Sequence, residues 1–306
     1  MLRSLIRAAE VTDPILRTEE GQYLRLIREL LDEGTLETGR NGDTWADFGA
    51  AMVFSLDEGK IPLLTTKKVA WKTCLRELLW FVSGSTDNTK LQEQKVRIWN
   101  LNGTREFLDS RGLHHLEEGD LGPVYGHQWR HFNASYTDRH EDYSGKGVDQ
   151  LKNVIDLLND PTTRSSRRIV MSAWNPCQLH EMALPPCHVL CQFNVRQGKE
   201  LSCSLYQRSG DVGLGVPFNI ASYSFLTHLL ARHCNLQPRE FVYYLGNCHV
   251  YDDHRDALRE QLTREPYPFP SLSIGATRDR IEDYVVDDFT ISNYRSHDVI
   301  KMEMRQ

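Results

Sequence analysis

Apolar residues at Tyr23, Leu26, Ile27, Leu30 and Leu31 recur at helical spacing through the segment from Glu20 to Glu33, and Gly34 supplies its stop. The stretch that follows, GRNGDTWADFG, shows turn chemistry without a clear period and reads as a glycine-bearing loop. From Trp71 to Val82 the run WKTCLRELLWFV keeps helical spacing but is apolar on nearly every side, the pattern of a buried helix. RIVMSAW (168–174), Cys187 to Val195 and Leu201 to Gln207 predict strands. Asn219 to Ala231 predicts a second buried helix, with Pro217 just ahead of it. Strands and helices in no regular alternation predict an α+β fold around a mixed sheet.

The chain of 306 residues has no internal repeat, low-complexity tract or linker, so a single domain is expected. At 40% hydrophobic and 25% charged it has a globular composition, and no apolar run approaches the roughly 20 residues that cross a bilayer. A net charge of −6 argues against broad adhesion to nucleic acid, although clustered arginines could still bind a small anion. Seven cysteines, an odd number, suggest reduced thiols in a cytosol-like compartment. The opening MLRSLIRAAE carries two arginines but soon meets Glu10, Asp13, Glu19 and Glu20, and reads as an extension rather than a transit peptide.

Candidate chemistry gathers in LPPCHVLCQF (184–193). On a strand, Cys187 and Cys191 lie about 13 Å apart, beyond the roughly 7 Å reach of a disulfide and too far to share a tetrahedral ion. The other cysteines form no second ligand pair, which sets zinc aside. A nucleophile and an inert core thiol remain. If Gln197-Gly198-Lys199 is a hairpin turn, Cys187 falls opposite Ser209 and beside Arg208, whose guanidinium should lower the thiol pKa. His188 points to the other face of the strand and reads as structural unless it reaches the site from behind.

Other charges cluster at Lys67 and Lys68, at Arg164, Arg167 and Arg168, at Arg208 beside Ser209, and at Arg40. Each alone is an ordinary surface charge, but arginines near a serine suit a phosphate. Three and four positions from Glu77 lie Thr73, Cys74, Trp80 and Phe81, which would desolvate its carboxylate and raise its pKa; on these residues alone the plainer reading, a lysine partner at a helix edge, is preferred. Residue chemistry thus reaches a cysteine near an anion site with a buried acid available, and names no substrate.

MALPPCHVLCQF, LSCSLYQRSGDVGLGVPFNIASY, GDLGPVYGHQWRHF, YSGKGVDQL, PLLTTKK, RELLWFVSGST and IKMEM together resemble the thymidylate synthase family, from about Gln22 to Met304. With no reductase domain ahead of it, the expectation is a stand-alone synthase or the synthase portion of a fusion. The resemblance implies a catalytic domain at 20–306 after an extension at 1–19. It implies a large mixed sheet covered by helices, with one sheet face at a homodimer interface. The implied reaction, in the cytoplasm and without a metal, converts dUMP to dTMP. Here 5,10-methylenetetrahydrofolate supplies carbon and hydride and leaves as dihydrofolate.

By the same resemblance Cys187 attacks C6 of the uracil, Glu77 organises proton transfers around O4, and Tyr125 is associated with removal of the C5 proton. Asn219 hydrogen-bonds O4 and N3–H and favours dUMP over dCMP. Arg208, Ser209 and Arg40 hold the phosphate, joined by Arg167 and Arg168 from across the dimer interface. His249 and Tyr251 bind the ribose hydroxyl. Trp99 and Asp211 belong to the folate site, with Gln207 and Lys67 in the same surroundings.

Several positions depart from the family pattern. The loop RNGDTWADFG is one residue shorter than the form RTGTGTLSVFG. Ala70, Asn100 and His127 replace other residues, RSSRR is extended, and Arg305-Gln306 stand where a small and an aliphatic residue close over the folate. A weakened closure would admit water and yield 5-hydroxymethyl-dUMP, making a dUMP hydroxymethylase the nearer alternative. An idle homologue that binds nucleotide or RNA is the other.

Overall fold

The structure is a computed structural model that describes residues 13–39 and 41–305. Arg40, Gln306 and most of the expected extension lie outside the described residues. The helices are α1 (Gly21–Glu33), α2 (Trp71–Val82), α3 (Asn88–Glu93), α4 (Arg105–Ser110), α5 (Tyr125–His131), α6 (Gln150–Asn159), α7 (Gly215–His233) and α8 (Arg255–Gln261). Strands β1 (Thr35–Gly39), β2 (Gly42–Ser55), β3 (Val170–Ser172), β4 (His188–Arg196), β5 (Glu200–Asp211) and β6 (Gln237–Tyr251) form one sheet in the order β1-β2-β6-β5-β4-β3. Only β5 and β6 run parallel; the other pairs are antiparallel, so the sheet is mixed as expected. A separate pair, β7 (Ser271–Ile274) with β8 (Phe289–Ser292), stands apart.

Strand alternation gives the sheet two unlike faces. Met52, Tyr243, Leu205, Cys191 and Met171 form one row across five strands, and all are buried. The long helix α7 packs on β5 and β6, and its apolar residues on every side are buried because α2 also packs against it. The neighbouring row is Val53, Val242, Ser204, Gln192 and Val170, on the opposite face. There Val53 is 37% exposed, Val170 43%, and Leu190 and Tyr206 37% and 39%, so no layer of described residues covers this face.

The structure corrects three boundaries. The stretch expected to be a loop is a β-hairpin, β1 to β2, turning at Gly42 with φ of 117°; its pairing with β6 comes from far along the chain and leaves little local pattern. Helix α7 begins at Gly215, so Pro217 lies inside its first turn, where the backbone N–H groups have no helical partner and a proline loses no bond. Of the predicted strand 168–174, Val170–Ser172 form the ladder with β4, and Ile169 and Ala173 add one backbone bond each to it.

Glu20, just ahead of α1, is 2% exposed and ties that helix to PLLTTKK. Its carboxylate accepts the Thr65 and Thr66 N–H groups at 2.8–3.0 Å and their hydroxyls at 2.5 and 2.7 Å. Burial pushes its pKa up, against the pull of these donors. Glu20→Ala leaves buried donors without an acceptor and should destabilise the fold by about 3 kcal/mol. A lower urea midpoint with an unchanged slope checks this.

Candidate active site

Gln197 and Gly198, with φ of 51° and 69°, turn β4 into β5 where the sequence predicts. The expected register holds from Arg196 opposite Glu200 to Leu190 opposite Tyr206. A bulge between His188 and Leu190 then shifts it by one residue. Cys187, just before β4, therefore meets Arg208 rather than Ser209, and its carbonyl accepts the Arg208 N–H at 3.0 Å. Bulges re-aim side chains in this way beside functional sites.

Arg208 is held by the proline pair. Its Nε donates to the Pro186 carbonyl at 2.9 Å and its Nη2 to the Pro185 carbonyl at 3.0 Å, and the guanidinium lies 5.6 Å from the Trp174 ring centroid. Prolines present carbonyl acceptors without a competing N–H. Arg208 pulls the Cys187 pKa down as expected, but burial pushes it up by more, so the resting group is a thiol.

Cys187 opens onto a cavity of about 430 Å³, shared with Glu77, Trp99, Tyr125, Gln207, Arg208, Ser209, Asp211, Asn219, His249 and Tyr251. Tyr125, at the start of α5, accepts the N–H groups of Cys187 at 2.7 Å and His188 at 3.3 Å. Among the described residues Glu77 on α2 has no lysine partner. Its Oε1 accepts the Trp99 indole N–H at 2.7 Å, and burial raises its pKa to about 7.

Behind the thiol runs a chain of polar groups. Tyr243 donates to Gln207 Oε1 at 2.6 Å, and Gln207 Nε2 donates to Asn219 Oδ1 at 3.0 Å. Asn219 Nδ2 in turn donates to His188 Nε2 at 2.8 Å. Burial lowers the His188 pKa to about 3, so the ring is neutral and can accept through Nε2. His188 thus does reach the site from behind, packed between Tyr125 and Tyr223 at 4.9 and 5.2 Å. Which end of the Asn219 amide faces which neighbour follows from this chain.

Asp211 Oδ1 accepts the Gly213 N–H at 2.8 Å and the Leu214 N–H at 3.3 Å. His249 Nδ1 meets Asn247 Oδ1 at 2.9 Å, and its ring packs edge-on to Tyr251 at 5.3 Å. Lys67 is not on the cavity wall; it is buried, bonds the Gly213 carbonyl, and burial lowers its pKa to about 8. Arg167 and Arg168 are exposed beside β3, outside the cavity of their own chain. Arg40 is outside the described residues, while its neighbour Asn41 lines the cavity and bonds Tyr251. Asn41, Ile98, Phe218 and Met304 are wall residues that sequence reasoning did not single out; Phe218 stands between Pro217 and the helix predicted from Asn219, and Met304 closes the IKMEM motif. Among the described residues no three His, Cys, Asp or Glu side chains are grouped to hold a metal, and no helix is long and apolar enough to cross a membrane.

The sequence model described as thymidylate synthase matches residues 21–306. A bifunctional dihydrofolate reductase-thymidylate synthase of Plasmodium chabaudi is 55% identical over 287 residues, 93% of this chain and 48% of that one. The chain thus spans about half the length of such bifunctional relatives. The thymidylate synthase of human herpesvirus 8 (type P, isolate GK18) is 54% identical over 297 residues, 96% of this chain and 87% of its own. That of Homo sapiens is 52% identical over 305 residues, 99% and 96%. With a match of this extent laid over this sheet and this cavity, the chain belongs to the thymidylate synthase family.

Proposed function

We propose that the protein converts dUMP to dTMP, taking carbon and hydride from 5,10-methylenetetrahydrofolate and releasing dihydrofolate. The observation that carries this reading is Cys187 in a cavity with Arg208, an Asn219 amide of fixed orientation, and a Glu77 that shares its proton near neutrality. Cys187 adds to C6 of the uracil, a C–S bond forms, and the ring π electrons move toward O4 and leave C5 nucleophilic. Because the resting group is a thiol, its proton must depart as substrate binds, and Arg208 then faces the thiolate. Asn219 offers N–H to O4 and C=O to N3–H. Glu77 supplies and recovers protons at O4, and Tyr125 serves removal of the C5 proton.

Arg208, Ser209 and Arg40 are proposed to bind the phosphate, and His249 with Tyr251 the ribose hydroxyl. The uncovered sheet face supports a homodimer in which Arg167 and Arg168 serve the other copy's site. Ile98, Trp99, Leu214 and Phe218 make an apolar wall that fits a planar pterin, with the Asp211 carboxylate as an acceptor for its N–H groups. Methylenetetrahydrofolate bound there supplies the one-carbon unit and the hydride that reduces it to methyl. Seven free cysteines support a reducing, cytosol-like setting.

Incubation with dUMP and methylenetetrahydrofolate should yield dTMP and dihydrofolate in equal amounts. With 5-fluoro-dUMP it should yield a covalent adduct that Cys187→Ser loses. Because Arg305 stands on the cavity wall, 5-hydroxymethyl-dUMP with tetrahydrofolate is the product that would establish the hydroxymethylase instead. Absence of both product and adduct would leave an idle homologue. Glu77→Gln should lower kcat by about 10²–10⁴-fold while dUMP binding, followed by calorimetry, changes far less. The same residue imposes a pH dependence on stability. Below its ordinary 4.5 both folded and unfolded chains are protonated; between there and about 7 only the unfolded chain ionises, so stability falls as pH rises. The loss should reach about 3 kcal/mol, and denaturant titrations of Glu77→Gln should lack that slope.

A further inference from the structure

Residues 300–305 return to the cavity, and Met304 and Arg305 form part of its wall. The segment is fastened at several points. Ile300 is buried, and the His254 Nε2–H donates to the Glu303 carbonyl at 2.7 Å. Arg305 Nε donates to Asp253 Oδ2 at 3.0 Å, while its Nη2 lies 2.8 Å from the same oxygen and 3.8 Å from Asp252 Oδ1. Asp252 to His254 follow directly on β6, the strand that carries His249 and Tyr251. On its other side the Arg305 Nη1 lies 4.0 Å from where a Cβ on Gly42 would stand, so the guanidinium also borders the β1–β2 turn. The fastenings differ in kind. The His254 ring is fully buried, whereas Arg305 and Asp253 are 38% and 32% exposed and open to screening by salt.

We propose that Arg305 is a positioning residue: its ion pair with Asp253, backed by Asp252, fastens segment 300–305 as a wall of the cavity and limits access to Cys187. That access to Cys187 bears on the reaction rests on the proposed methylation; the fastening does not. Iodoacetamide alkylation of Cys187, followed by peptide mass in the full chain, tests it in the unaltered protein, Arg305→Ala, Asp253→Asn and the double variant. At low salt Arg305→Ala should react about two- to five-fold faster, the scale of an exposed ion pair. The double variant should react no faster than Arg305→Ala, and high salt should raise the unaltered protein toward the variants. A cation acting only through its field would hold the thiol proton less tightly, so its removal would slow alkylation; a rise therefore reports access. Equal or slower alkylation of Arg305→Ala, or additive effects in the double variant, overturns the proposal and leaves the methylation reading standing. Failure of the unaltered protein to make dTMP overturns that reading and leaves the alkylation result in force.

Discussion

The pairing of β4 with β5, interrupted by one bulge after His188, is the constraint on which the rest of the site depends. Unbroken pairing would set Cys187 against Ser209 and away from the Arg208 backbone. The bulge brings Cys187 to Arg208, lets the two proline carbonyls grip the guanidinium, and leaves two N–H groups for the Tyr125 hydroxyl. The same strand then delivers Gln207 to Asn219 on α7 and Asp211 to the turn before it. One extra residue on one strand thereby aligns groups of α5 and α7 with those of β4 and β5.

Local pattern made much of this legible. Helices α1 and α2, the Gln197–Lys199 turn and the seclusion of Glu77 follow from spacing over a few residues. What stayed hidden depends on partners distant in sequence. No residue in CHVL announces a bulge, because the shift belongs to a pair of strands and not to either alone. Strand β2 looked like a loop because its neighbour β6 lies about two hundred positions away. The Cys187 thiol was expected to be acidified by one visible arginine, yet walls assembled from the whole chain bury it, and burial outweighs that single charge. Lys67 belongs to a motif of the family and still points inward to a carbonyl rather than into the cavity.

Buried polar groups here are answered in different ways, and the differences follow function. Glu20 is surrounded by donors and serves only to join α1 to a loop. Glu77 receives one indole N–H, too little to hold it ionised against burial, which leaves its proton free to move near neutral pH. His188 meets its burial by giving up charge altogether.

That last choice separates two properties of the site. The groups proposed to read the base, Asn219 with Gln207 and His188 behind it, contain nothing that changes charge between about pH 4 and pH 9. The group proposed to move protons titrates in the middle of that range. Acidification of the protein's surroundings would therefore alter how fast it works well before it altered which pyrimidine it accepts, so fidelity would outlast speed.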